Sequence, residues 1–138
     1  MAYDSNNIFA KILRGEIPAV KVYEDDHVLA FLDVMPQAEG HTLVIPKQAA
    51  QNIFELSPDG AAHLIQAVQK IAPAVKAVTG APGIMLAQLN GEAAGQSVFH
   101  IHFHIIPRFS GVDLQFHPRE MADPKKQEAL AAKIRAAL

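Results

Sequence analysis

Two kinds of apolar spacing divide the chain. In "NNIFAKILRGEIP", Ile8, Phe9, Ile12 and Leu13 recur on one helical face and the run stops near Gly15 and Pro18, which predicts a short helix. "VKVYED" and "HVLAFLDV" are short β-type runs broken by Glu24–Asp26, the pattern of a hairpin. "PQAEGH" carries turn chemistry, and "TLVIPK" predicts a third strand. Ser57-Pro58-Asp59 then supplies an N-cap, a proline at the first helical position and an acid near the positive end of the dipole. Leu64, Val68, Ile71, Val75 and Val78 follow as one stripe, so this helix should pack on a sheet and end at Gly80. Pro73 lies inside the stripe and should kink or divide the helix. "GIMLAQL" and "SVFHIHFHII" predict two more strands joined by "NGEAAGQ". After the aperiodic "PRFSGVDLQFHP", Asp123-Pro124 opens a C-terminal helix with Leu130, Ile134 and Leu138 on one face. About five strands with helices in blocks and hairpin-length links argue an α+β domain around an antiparallel sheet.

Composition narrows this picture. The 138 residues suit a single domain, 1–138, without repeats or linkers; half are hydrophobic and the formal charge is −2. No cysteine occurs, which excludes disulfides and thiolate zinc sites. No stretch has the form of a signal peptide or reaches the ~18 apolar residues of a membrane span, so a cytoplasmic protein without a membrane partner is expected. The charges are scattered and form no basic stripe, which argues against a nucleic-acid polymer as partner. A small anion held by neutral donors stays open.

The chemistry concentrates in "QSVFHIHFHIIPRF". On a strand, alternate side chains share a face with about 6.6 Å between them, so His100, His102 and His104 would point one way and Ile101, Phe103 and Ile105 toward the core. A buried strand holding three imidazoles by chance would owe each a polar partner. A metal site is the serious rival, because imidazole is a common zinc ligand. A third ligand at the far end of one strand sits awkwardly, however, and no carboxylate lies close in sequence. The preceding "NGEAAGQSV" favours a phosphate-handling surface: its glycines let backbone N–H groups approach an anion, and Asn90, Gln96 and Ser97 offer donors. A neutral histidine is a competent nucleophile toward phosphorus when its other nitrogen is held. "GQSVF" lacks the second glycine of a nucleophile elbow, and no P-loop is present.

The run His100-Ile101-His102-Phe103-His104-Ile105-Ile106 resembles the signature of the histidine triad (HIT) family of nucleotide hydrolases and transferases. The resemblance extends through "NIFAKILRGEIPA", "VYEDDHVLAFLDVMPQAEGHTLVIPK" and "GQSVFHIHFHIIPR", a core of about residues 7–109 followed by a tail and helix, 110–138. It implies the HIT fold: about five antiparallel strands, a long helix packed on them and a C-terminal helix. It also implies a homodimer, in which two protomers extend one sheet.

The resemblance gives His102 the role of nucleophile at the α-phosphorus of a nucleotide, with His100 and His104 flanking it. Asn90, Gly95, Gln96 and Ser97 match the phosphate-contacting loop, and Ser97 is counted with the triad as catalytic. His41 matches a histidine lying against the triad. Asp33 matches an acid that accepts both ribose hydroxyls, and Ile8, Phe9, Ile12, Phe31, Leu32 and Val34 match residues around the base. The expected ligand is a nucleotide, a purine by preference, and no cofactor is implied. Many bacterial relatives carry a C-x-x-C and a later histidine that hold a structural zinc with a triad residue. Those places are Asn7, Ala10 and Ala49 here, so no metal is expected. "GQSV" resembles the Hint branch, which cleaves nucleoside phosphoramidates, whereas "IIPRF" and the long tail resemble branches acting on dinucleoside polyphosphates. The expected activity is therefore hydrolysis of a nucleoside phosphoramidate or related nucleotide to a nucleoside monophosphate through a nucleotidyl-histidine. The alternatives are a dinucleoside polyphosphate hydrolase, or a nucleotide-binding or metal-handling module.

Overall fold

The computed structural model describes residues 2–113 and 120–138; residues 114–119 of the aperiodic stretch lie outside them. The elements follow the apolar spacing closely: α1 (Ile8–Leu13), β1 (Lys21–Glu24), β2 (Val28–Leu32), β3 (Thr42–Pro46), α2 (Pro58–Thr79), β4 (Gly83–Ala87), β5 (Phe103–Arg108) and α3 (Pro124–Ala137), with a 3₁₀ turn at Glu92–Ala94. The strands form one sheet in the order β1-β2-β3-β5-β4, and every neighbouring pair is antiparallel. This is the fold class expected from the sequence. Among the described residues, no helix is long and apolar enough to cross a membrane.

β2 and β3 are buried at every position because each face of the sheet has its own cover. Val28, Ala30, Leu32, Val44 and Ile105 join the main core with Leu64, Val68, Ile71 and Val75 of α2 and Leu130 and Ile134 of α3. Leu29, Phe31, Leu43 and Ile45 face the other way, onto Phe9 and Ile12 of α1. Ile101 and Ile105 belong to the α2 side and Phe103 packs against it, so the alternation read in "HIHFHI" holds. The odd positions anchor the segment and free the even ones for the opposite face.

Local chemistry sets the helix ends. The Ser57 hydroxyl accepts from the Gly60 N–H at 3.0 Å, and Gly80 closes α2 in the left-handed region at φ 71°. Pro73 does not divide α2, which runs through it as one 22-residue helix. The carbonyl left without its N–H partner is that of exposed Gln69, where water can serve it. In α3, Asp123 caps the Lys125 N–H at 3.0 Å. Its inward face differs from the expected one: Gln127, Leu130, Ala131 and Ile134 are buried, while terminal Leu138 is exposed.

One departure concerns the histidines. β5 begins only at Phe103, so His100 and His102 precede the strand rather than riding on it. The Ile101 N–H there turns to the Ala50 carbonyl, 2.9 Å away, instead of a sheet partner. All three imidazoles are nevertheless largely withdrawn from water, because each finds polar partners inside the protein.

Beyond the last β2–β3 pair, Leu32 with Thr42, the connecting loop closes through an Asp33 N–H to His41 carbonyl bond of 2.9 Å. Gly40 makes this closure possible. It sits at φ +94°, and a Cβ there would come within 2.5 Å of the Thr79 methyl of α2. Gly40→Ala should therefore lower the unfolding free energy by about 1–3 kcal/mol in urea titration. Gly15→Ala, at φ +78° but with nothing within 4 Å of the new methyl, should cost less. Equal losses at the two positions would show that the approach to α2 contributes nothing.

Candidate active site

The triad is organised by backbone groups. His100 is fully buried: its Nε2–H donates to the Pro46 carbonyl at 2.8 Å, and its Nδ1 accepts from the Tyr3 hydroxyl at 2.5 Å. The His100 carbonyl in turn accepts the Nδ1–H of His102 at 2.8 Å. A carbonyl only accepts, so His102 carries its proton on Nδ1 and keeps a lone pair on Nε2. The Phe9 ring stands nearly perpendicular to the His102 ring, at 88° and 4.9 Å, and fixes the plane of the imidazole.

A second chain of bonds fixes His104. The Gln37 N–H donates to His41 Nδ1 at 3.0 Å, which leaves the His41 proton on Nε2. That Nε2–H points to His104 Nδ1, 2.9 Å away. His104 must then hold its own proton on Nε2 and presents it as a donor. Two of the rings lining the cavity thus carry complementary chemistry, a lone pair on His102 and an N–H on His104.

Burial keeps these rings neutral. Loss of water pulls the pKa of His102 down to about 4 from 6.5, against the support of the His100 carbonyl. His41 is pulled to about 3 by burial and then by the neighbouring His104 and His102. Burial likewise holds His100 and His104 below the ordinary histidine value. Asp33 moves the opposite way: burial raises its carboxyl pKa, opposed by the Met35 N–H on Oδ1 at 2.9 Å. Its Oδ2 lies 3.7 Å from His41 Nε2, too far for a hydrogen bond, and with His41 neutral the two are not an ion pair.

These groups open onto a cavity of about 360 Å³, the size of a small-molecule site. His102, His104, His41, Asp33, Gly95 and Ser97 line it together with Ile8, Phe9, Ile12, Phe31, Leu32 and Val34. Ile8 and Val34 are about half exposed, whereas Leu32 is also part of the main core. Three residues singled out in the sequence are not in the lining: His100, Asn90 and Gln96. The Asn90 Oδ1 accepts from the Ile53 N–H at 2.9 Å and from Gln88 Nε2 at 2.7 Å. Buried Gln96 accepts the Gly91 N–H at 2.7 Å and donates to the carbonyls of Gln51 and Val98 at 2.6 and 3.0 Å. Both side chains are spent on shaping the loop that presents Gly95 and Ser97. Tyr3, Gln37 and Pro46 had no signal in the sequence, because two of them act through backbone atoms and Tyr3 meets His100 across 97 positions.

The donor set speaks against a metal at either candidate place. Where relatives are expected to hold zinc, Asn7 caps α1 through the Ala10 N–H at 2.9 Å, Ala10 and Ala49 offer no donor atom, and both His100 nitrogens are taken. A zinc ion does not fit these residues. Asp33, His41 and His104 bring possible ligand atoms within 4.8 Å of one another. There the His41 Nε2 carries the proton, since its Nδ1 receives the Gln37 N–H, so an ion would have to reverse the tautomer against a backbone donor.

A family model described as the HIT domain matches residues 14–111. Protein hit of Bacillus subtilis is 51% identical over 108 residues, covering 78% of this chain and 74% of that protein. The adenosine 5′-monophosphoramidase hnt1 of Schizosaccharomyces pombe is 45% identical over 101 residues, 73% of each. The crystal structure of a Hit-like protein involved in cell-cycle regulation from Bartonella henselae matches with a TM-score of 0.92 at 52% identity, covering 99% of this chain and 100% of that one. In sheet order, in its two main helices and in sequence, this chain belongs to the HIT family.

Proposed function

We propose that the protein is a nucleotide hydrolase that cleaves a nucleoside phosphoramidate, or a related nucleotide, to the nucleoside monophosphate through a covalent intermediate on His102. The observation that carries this reading is the His102 tautomer: Nδ1–H is committed to the His100 carbonyl, and Nε2 is left as an uncharged nucleophile lining the cavity. Similarity to a phosphoramidase supports the choice of substrate class.

In the first displacement, the Nε2 lone pair forms a bond to the α-phosphorus and the phosphorus–nitrogen bond breaks, the leaving nitrogen taking a proton from solvent to depart as the amine. The ring becomes cationic beside the phosphoryl anion, and the His100 carbonyl accepts from the now charged Nδ1–H. His104, oriented by His41, donates its Nε2–H to a phosphoryl oxygen or the leaving group. In the second displacement, water attacks phosphorus and His102 departs as the neutral ring. Over the cycle, water gives hydroxyl to phosphorus and a proton to the amine.

The phosphate would lie against the 95–97 loop, with Gly95 and Ser97 at the cavity wall and Asn90 and Gln96 holding the loop in shape. Asp33 would accept the ribose hydroxyls on the lone pairs that the Met35 N–H leaves free. Phe9, Ile12, Phe31, Ile8 and Val34 would hold the base, a purine by the resemblance. The proposed assembly is a homodimer; β4 is an outer strand of the sheet and its Leu86 is about half exposed.

Two experiments test this reading. Acid-free quenching of wild-type protein during turnover, followed by intact mass spectrometry, should show a transient gain of one nucleotidyl group. His102→Asn should show no adduct and lose activity by at least about 10³-fold. An adduct that persists in the variant would move the nucleophile elsewhere. The pH dependence of kcat/KM supplies the second test, since it reports the free enzyme. Protonation removes the lone pair, and His102 is held near 4, so the rate should be flat through neutral pH with its acid limb near 4. An acid limb at the ordinary histidine value of 6.5 would mean that the nucleophile is not the buried ring.

A further inference from the structure

The C-terminal helix lies past residue 111, where the family match ends, yet its first turn reaches the cavity wall. Gln127 is only 7% exposed, although glutamine is ordinarily a surface residue. Its Nε2 donates to the Asp33 carbonyl at 2.9 Å, across 94 positions of sequence. Five residues earlier, the Ala122 N–H donates to the Val34 carbonyl, also at 2.9 Å. Two consecutive carbonyls of the loop that follows β2 are therefore held by one short segment of the tail. The far end of α3 is fixed separately: Leu130 and Ile134 sit in the main core, and the Arg135 guanidinium donates to the Lys21 carbonyl at 2.6 Å.

The consequence for Asp33 is geometric. Its N–H is bound to the His41 carbonyl, its C=O to Gln127, and its Oδ1 to the Met35 N–H. Every rotation that would swing the carboxylate out of the cavity breaks at least one of these bonds. Val34 and Met35 themselves are exposed. We propose that the α3 segment, through Gln127 and the Ala122 amide, is a positioning element that fixes the Asp33 carboxylate and thereby sets discrimination between ribose and deoxyribose nucleotides. This rests on the reading of Asp33 as the acceptor of the ribose hydroxyls.

The experiment compares kcat/KM for a ribonucleotide phosphoramidate and its 2′-deoxy counterpart in the full-length protein. The variants are Gln127→Met, which keeps length but removes the donor, and Ala122→Pro, which removes the other N–H. Asp33→Asn serves as the reference for the sugar contact. Leu130→Ala, in the core beneath the same helix, serves as the control for general destabilisation. In Gln127→Met and in Ala122→Pro, the ribose-to-deoxyribose ratio should fall by about three- to tenfold, a partial loss of a charged hydrogen bond. The change should appear in KM for the ribonucleotide, with kcat moved less than about twofold, because His102 and His104 are held by other bonds. Leu130→Ala should keep the wild-type ratio. A wild-type ratio in both tail variants, with the ratio lost in Asp33→Asn, overturns the positioning role and leaves the sugar reading standing. A wild-type ratio in Asp33→Asn itself overturns the sugar reading and the positioning role together. An equal fall in Leu130→Ala also overturns the proposal, since loosening the core would then suffice. If Gln127→Met does not fold, Ala122→Pro alone decides by the same criteria.

Discussion

Burying an imidazole is cheap only if the ring stays neutral and each nitrogen turned into the protein finds a partner, and that constraint organises this protein around its triad. Four histidines, His41, His100, His102 and His104, are packed together with their pKa values all pulled down by loss of water. A neutral ring has one donor and one acceptor, so each partner chosen for one nitrogen dictates the state of the other. The Pro46 and His100 carbonyls and the Gln37 amide make those choices. Backbone groups cannot ionise or rotate away, and this makes the tautomers a property of the fold rather than of solution conditions.

The fold supplies those backbone groups from separated stretches of chain. β3 brings Pro46 under His100, the β2–β3 loop brings Gln37 against His41 and His41 against His104, and the segment before β5 folds the His100 carbonyl onto the His102 ring. The sheet has to be covered on both faces for this to work. The α2 and α3 face anchors Ile101 and Ile105, and the α1 face lends Phe9 to the ring of His102. Stability and chemistry are linked at Gly40, whose left-handed backbone lets the histidine loop press against the end of α2.

Much of the architecture was legible in the sequence because it depends on local spacing. The α2 stripe and its caps, the β1–β2 hairpin and the inward Ile101, Phe103 and Ile105 follow from periodicity and from turn residues. The start of β5 was not legible, since a strand pattern continues through His100 and only the Ala50 carbonyl diverts the backbone there. Asn90 and Gln96 have donors suited to phosphate, and the sequence gives no sign that Gln88 and the Gln51 and Val98 carbonyls would consume them. Tyr3 and Gln127 were invisible for a different reason: each meets its partner across more than 90 residues, with no motif to mark the pairing. Residue type announced the triad, whereas long-range hydrogen bonds decide what each member of it does.

The central claim is that backbone partners fix the ring protons, and long-range proton–nitrogen NMR on the histidine rings tests it most directly. At neutral pH, His102 should carry one proton, on Nδ1, with Nε2 showing the shift of a bare nitrogen. His41 and His104 should each be protonated on Nε2 alone. A His102 ring protonated on Nε2, or on both nitrogens, would leave no lone pair facing the cavity and would contradict the account.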